Sequence, residues 1–474
     1  MSNKNTDKIQ EIINNISGVL LRKLQVTNKE VWIAFIPQIS DRDSISNNII
    51  RPLLCYDKTE ELTLDLILNS VIYIDDVFEE NDENNIVNHV LEGKAIIILT
   101  DSDKFIVANT ISIEKRAIES PQIETNIRSP RDAFTENLDS NLSLIRHRIK
   151  DQSLKIDYIT VGSRTKTDVV VIYLSDITNK EYVKVIKKRI KDIKIDGILE
   201  SAYVQKFISN KDTTFLPQMG IYEKSDSTCA NILEGKICIM VDGSNIAIIT
   251  PKNFVEFFDA SDDHYENMYI SFFIKMLRFE AFIITLTLSA IYVGIVAYHA
   301  DIIPAQYIIV LAASRTTVPV NAITETILME MVVELLREAS ARLPKQIGPA
   351  IGIVGTIVIG QAAVVAGLVS PLMVIIVALG LMASFAIPDY TIMNSIRLMK
   401  FGMILITGLL GIFGFIMGIT FIVIKLASIS TLGVPYLAPI APFYYENLKN
   451  YFLSNIVHTK KRPEYLKNKD DTRQ

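Results

Sequence analysis

A chain of 474 residues has room for two or three domains. A hydrophobic content of 49% and a mean hydropathy of +0.28 are high for a soluble protein of this size, and a net charge of −5 with no basic block offers no field for nucleic acid. Three scattered cysteines (Cys55, Cys229, Cys238) are too few for a disulfide framework and read as reduced structural thiols, which places the soluble part in a reducing interior.

The apolarity is uneven along the chain. Up to about Asp263 the sequence is rich in Asn, Asp, Glu, Lys and Ile; from Ile270 to about Leu426 it is mostly apolar; after Glu446 it is polar and basic. The opening "MSNKNTDKIQ" is polar, so no signal peptide is expected. Residues 1–29 read as an N-terminal segment. "VLEGKAIIIL" (from Val90) recurs as "ILEGKICIMV" (from Ile232), each entering an apolar strand, a polar turn and a second strand, the signature of a hairpin. "VWIAFIPQIS" (from Val31) and "VVVIYLSDIT" (from Val169) share a fainter layout of buried strand, polar loop and helix. Two echoes in the same order predict a duplication of roughly 140 residues: an α/β subdomain over 30–150, with a connecting helix within Arg128–Ile149, and a second over 151–264. Neither copy has a phosphate-cradling loop.

Residues 265–445 are predicted to be an all-α polytopic membrane domain. Apolar helices are expected at about 279–299, 349–369, 371–387 and 401–424, each near the length that crosses a ~30 Å hydrocarbon core. Lys275 and Arg278, set among Phe272, Phe273 and Phe279, suit the inner face. With the soluble half inside, four spans leave Arg337, Arg342, Lys345, Arg397 and Lys400 outside. A fifth crossing in 304–343 brings these inside but leaves the basic tail (446–474) outside. Two crossings there, one of them short, are a third arrangement, and the side of the tail stays open.

The stretch 319–343 is predicted to be an amphipathic helix. At 100° per residue Leu328, Met329, Val332, Val333, Leu335, Leu336 and Ala339 share one face, while Glu330, Glu334 and Glu338 stack on the other with Arg337 beside them. A charge facing lipid costs ~2.5 kcal/mol or more, so these carboxylates do not face lipid. Three arrangements satisfy this: a helix lying flat at the interface; a wall of a water-filled path or subunit contact, with acidic rings from several copies; or an ion-pair network with Arg337 and Arg342. Gly348, Gly352, Thr356 and Gly360 form a small-residue stripe for helix packing, and Gln361 is a lone polar group deep in the same span and a second pore candidate. No metal-ligand spacing, nucleophile elbow or cofactor motif is visible, so neither an enzyme nor a cofactor is expected.

"LPQMGIYEKSDSTCANILEGKICIMVDGSNIAIITP" (from Leu216), "RLPKQIGPAIGIVGTIVIGQAAVVAGLVSP" (from Arg342), "GVPYLAPIAP" (from Gly433) and "RSPRDAFTENLDSNLSLIRHRI" closely resemble the GerA family, the A subunit of spore germinant receptors. The resemblance covers roughly 30–445. It implies a multi-pass protein of the spore inner membrane, its N-terminal domain facing the spore core. It implies a transporter-like B subunit and a lipoprotein C subunit as partners, and a homo-oligomer that forms a nutrient-gated path for ions and triggers germination. Glu325, Glu330, Glu334, Arg337 and Glu338 match charged positions of the family. "YEKSD" at 222 has Lys and Ser where Arg and Pro are usual, "SRTTVP" at 314 lacks an acidic residue after the arginine, and Ser340 replaces a usual glycine. A secondary transporter or a non-conducting scaffold for the other subunits are the alternative functions.

Overall fold

Two five-stranded antiparallel sheets repeat one strand order. The first runs β1-β2-β4-β5-β3, from β1 (Leu20–Val26), β2 (Lys29–Phe35), β3 (Val77–Glu80), β4 (Ala95–Leu99) and β5 (Phe105–Ala108). The second runs β6-β7-β9-β10-β8, from β6 (Leu154–Val161), β7 (Thr167–Leu174), β8 (Gly220–Tyr222), β9 (Ile237–Val241) and β10 (Ala247–Thr250). The inner strands β4 (AIIIL) and β9 (ICIMV) are buried at every position, as unbroken apolar runs covered on both faces must be. The computed structural model describes residues 12–13, 16–27, 29–56, 61–100, 102, 104–112, 130, 132–209, 215–342, 348–453, 459 and 461–469.

In the first copy, α1 (Glu83–Glu92) packs Ile86 and Val90 on one sheet face, against Ile96 and Ile98 of β4. A helical run through 42–54 packs Ile45, Ile49 and Leu53 on the other, against Ile97 and Leu99. In the second copy, α2 (Leu138–Arg148) and α5 (Ser225–Leu233) share one core with Cys238, Met240 and Ile249. The other face carries α3 (Lys180–Lys191) and α4 (Ser201–Ile208), which contact β6 and β10. Burial pushes the Cys229 thiol up to about 12 and raises that of Cys238 as well, so both sulfurs are inert packing groups. Cys55 is exposed. The predicted connecting helix forms over its last part only; Arg128 and Ser129 lie outside the described residues.

The two "LEGK" glycines explain the repeat. Gly93 and Gly235 each follow a helix and hold φ of +93° and +92°, a left-handed cap that favours glycine. Each is also approached closely. A Cβ on Gly93 would lie 2.5 Å from the Ile39 carbonyl oxygen, and one on Gly235 would lie 2.7 Å from the Asn468 side chain. Asn468 belongs to a C-terminal segment that folds onto the second copy. Arg462 donates to the Leu233 carbonyl (3.1 Å), Asn468 to that of Glu234 (2.7 Å), and the Lys469 amide to that of Ile177 (3.1 Å), while Tyr465 and Leu466 are buried. We expect Gly235→Ala to lower stability by ~1–3 kcal/mol and to expose 461–469 to protease, read by melting temperature and limited proteolysis of the full-length protein.

The chain divides into two units: Met1–Lys211 with Met219–Pro251 and Lys460–Gln474, and Asp212–Gln218 with Lys252–Thr459. The second unit is helical: α6 (Met268–Tyr298), α7 (Ala305–Arg315), α8 (Ala322–Ala341), α9 (Gly348–Val365), α10 (Pro371–Phe385), α11 (Tyr390–Ser428) and α12 (Tyr445–Leu453). Among the described residues, α6 and α11 are long and apolar enough to cross a membrane. The 39 residues of α11 are not straight. Gly411 breaks it with φ +62° and ψ −146°, and a Cβ on Gly418 would stand 2.5 Å from Met403 Sδ. In one continuous helix those residues are about 22 Å apart. The chain therefore reverses at Gly411, and α11 is two antiparallel limbs, 390–410 and 412–428. Buried Gly408, Gly411, Gly414 and Gly418 let the limbs and their neighbours close up. The stretch expected to be one helix over 401–424 spans both limbs.

The base of α6 is pinned by charge. Lys275 pairs with Asp259 (2.6 Å) and donates to the Tyr451 carbonyl of α12 (2.8 Å), Arg278 pairs with Asp263 (2.5 Å), and His264 meets Asp259 at 3.0 Å. Burial raises the Asp259 carboxyl, but Lys275 and His264 beside it outweigh burial and hold it far below the usual carboxylate range. Asp263 goes the other way, raised by burial despite Arg278.

Candidate functional site: a ladder of buried ion pairs

The acidic residues of α8 are arranged by one register. Ile323 packs where a Gly408 Cβ would stand, Glu330 meets Lys400 and Glu334 meets Arg397. Residue numbers rise on α8 as they fall on α11, so α8 runs antiparallel to the first limb of α11. Asn321 caps α8 by accepting from the Thr324 amide at 2.9 Å.

Three rungs follow. In the first, Glu325 (0% exposed) pairs with Arg315 at 2.5 Å and accepts from the Ser370 amide at 2.6 Å. Arg315 also donates to the Tyr292 hydroxyl (2.9 Å), which lies 3.2 Å from Ser370 Oγ. One ring thus ties α6, the end of α7, α8 and the cap of α10. In the second, Glu330 Oε2 pairs with Lys400 at 2.5 Å and Oε1 accepts from Ser289 Oγ at 2.7 Å; both side chains are at most 6% exposed. In the third, Glu334 pairs with Arg397 at 2.9 Å, and Arg397 also bonds Asn394. Glu334 Oε1 and the Nε atoms of Arg397 and Arg337 are buried without a partner.

The structure places the predicted site residues differently from one another. Glu330 and Glu334 are inside the protomer, against cations of α11 rather than Arg337 or Arg342. Arg337 donates to Ser384 Oγ at 3.1 Å and lies over the Phe385 ring. Glu338 pairs with Arg342 at 2.5 Å one turn on, with 64% and 78% of the side chains exposed. Gln361 is exposed on α9, as are Val358, Ile359 and Val365. Gly360 is buried, and a Cβ there would meet Val374 of α10 at 3.2 Å. Gly355, which the four-residue stripe does not include, faces Leu336 of α8 in the same way, at 3.1 Å. The side-chain surroundings of Gly348, Gly352 and Thr356 lie outside the described residues, as does Lys345. Lys400, Arg397 and Arg315 are the partners that helix periodicity could not supply.

The chemistry of the ladder is charge cancellation. A carboxylate alone at the middle of an apolar bundle is costly; paired and hydrogen-bonded, it is tolerated and fixes register. Among the described residues no group of three or more His, Cys, Asp or Glu is placed to hold a metal ion.

A family model described as Bacillus/Clostridium GerA spore germination protein matches residues 7–465. The chain is 35% identical over 476 residues to spore germination protein KA of Bacillus subtilis (strain 168), covering 99% of this chain and 88% of that one. It is 35% identical over 473 residues to spore germination protein GerLA of Bacillus cereus, covering 98% and 96%. Among solved structures it is similar to the N-terminal domain of the A subunit of the Bacillus megaterium spore germinant receptor GerK3, at 28% identity and a TM-score of 0.42, covering 53% of this chain and 94% of that one.

Proposed function

Since this chain belongs to the GerA family of spore germination proteins, we propose that it is the A subunit of a nutrient-sensing germinant receptor: a multi-pass protein of the spore inner membrane that assembles around an ion path and works with B and C subunits. The observation that carries the oligomeric reading is Gln361. It is a polar side chain exposed on an apolar helix, about one turn before the helix ends at Val365, and in lipid it needs water or another copy beside it. Glu338, also exposed, is the acidic group left for such a path. Glu330, Glu334 and Glu325 act inside the protomer, locking α8 so that binding by a partner can bias one packed state against another.

The same geometry supports a membrane topology. Contacts order the bundle as six passes: α6, α8, α9, α10 and the two limbs of α11, with α7 as a short helix at one end. Asp389, which caps α11 and pairs with Lys252 (2.7 Å), lies at one end, and Gly411, against Tyr298 and His299, at the other. Six passes return the chain to its starting side, in keeping with the packing of Tyr465–Lys469 on the second α/β copy. Connections at the Gly411 end (299–304, 316–321, 366–370) carry no Lys or Arg, and Arg315 there is neutralised by Glu325. Lys275, Arg278, Arg342, Arg397 and Lys425 gather at the opposite end. That is the asymmetry expected with the N-terminal unit inside.

Two measurements test this. In a Cys55→Ser background, cysteines at 42 and 467 should react with an impermeant maleimide from one side of the membrane and a cysteine at 301 from the other; labelling of 42 and 467 from opposite sides contradicts six passes. In planar bilayers holding the receptor with its partner subunits, nutrient should evoke cation current that Gln361→Leu or Glu338→Gln reduces. An assembled receptor that passes no current favours the scaffold.

A further inference from the structure

We propose that the outer surface of α3 and α4, on the second α/β copy, is a docking face for an anionic lipid bilayer surface. Residues 180–206 contain eight Lys or Arg against four Asp or Glu, in a chain whose net charge is −5. Of the four acids, Glu200 accepts from Ser244 Oγ and the Ala202 amide, while Glu181, Asp192 and Asp196 are exposed, which leaves the stretch a net charge of +4 (eight minus four). Lys180, Lys184, Lys188 and Lys191 fall within about 80° of one another around α3, and all four are exposed, as are Lys194 and Lys206. The opposite side of α3 is buried through Tyr182, Val183, Ile186 and Ile190.

A solvated face accounts for the lysines but not for what stands beside them. α4 packs next to α3 and presents Tyr203 (44% exposed) and Phe207 (43% exposed) one turn apart, preceded by Leu199 (73% exposed). Aromatic rings beside a lysine stripe are the composition of a surface that rests at the headgroup level. The ammonium groups meet anionic headgroups, and Tyr and Phe enter the boundary below them. Charge complementarity selects an anionic surface over a zwitterionic one, and the spans carried by the same chain keep lipid at high local concentration. This inference rests on the membrane reading of the helical unit.

The test uses full-length protein in nanodiscs of brominated lipid. The chain has one tryptophan, Trp32, so Trp32→Phe with Tyr203→Trp leaves a single reporter on α4. We expect its emission to be quenched in discs that contain phosphatidylglycerol and not in discs of phosphatidylcholine alone. Quenching should disappear at high salt, the control that needs no further mutation. Lys184→Gln, Lys188→Gln and Lys191→Gln should each weaken the association about fivefold. Equal, unquenched emission in both discs overturns the proposal. Quenching or blue shift that follows protein concentration in detergent, whatever the lipid charge, assigns the face to a second copy and overturns it as well. Failure of the chain to co-elute with discs would count against the membrane reading itself and is seen before any fluorescence is read.

Discussion

Lys400→Met should destabilise the helical unit by about 3–5 kcal/mol, the largest single-residue effect we anticipate in this protein. The reason is asymmetric. Glu330 accepts from Ser289 and Lys400 and from nothing else that could carry a positive charge. Removing the ammonium leaves a carboxylate inside the bundle with one hydroxyl for company, and it must stay charged at a desolvation cost or take up a proton. The double variant Glu330→Met, Lys400→Met removes both charges and fills similar volume, so much of the lost stability should return. Buried pairs replaced together by apolar side chains are often neutral or better. Unfolding of the purified protein in detergent micelles, followed by near-ultraviolet dichroism, gives all three values. A Lys400→Met variant as stable as the parent would mean that the rung is solvated, and the lock assigned to α8 would fall with it.

Gly411→Val should cost about 1–3 kcal/mol in backbone strain alone and should also misdirect the chain. At φ +62° and ψ −146° an L side chain is strained, and a Cβ there would stand 3.1 Å from Tyr298 Cγ and His299 Cε1. The relief open to a β-branched residue is a helical conformation. That conformation would extend the first limb and carry 412–428 away from the base of α6. Residues 461–469 would then be drawn off the second α/β copy. The expected readout is a cysteine at 467 that no longer labels from the same side as one at 42, together with a lower melting temperature. Gly411→Ala should produce a milder form of both effects. A variant with normal labelling and normal stability would show that the turn does not need glycine.

Both sites show where sequence reading stops. The duplication was legible because each copy must rebuild the same hairpin behind the same left-handed glycine, so "LEGK" returns in register with its strand. The apolar stretches, the family resemblance and the cost of setting Glu330 or Glu334 against lipid were legible too. Composition and transfer cost along one helix decide those. The partners of the glutamates were not legible. Helical periodicity places Glu330, Glu334 and Glu338 on one face but says nothing of what that face meets, and only the antiparallel register of α8 on α11 delivers Lys400 and Arg397. The glycines of "TGLLGIFGFIMG" were the available signal for the reversal at Gly411, yet a glycine run in an apolar helix reads equally as a packing stripe.

On the proposed membrane reading, that one reversal also favours a single charged side: with one helix over 401–424, no placement of 304–343 would put every one of those cations and the tail inside, whereas two limbs would.

The sequence by itself determined that this chain has a duplicated α/β half and an apolar helical half, that an α8 carboxylate set against lipid would be costly, and that it resembles the GerA family. These are local or compositional properties, set by side-chain spacing and by the cost of moving charge out of water. Only the tertiary structure decided which cations neutralise those carboxylates, where α11 turns, and that the C-terminal segment packs with the second α/β copy. Each of these depends on which surfaces meet across long stretches of chain.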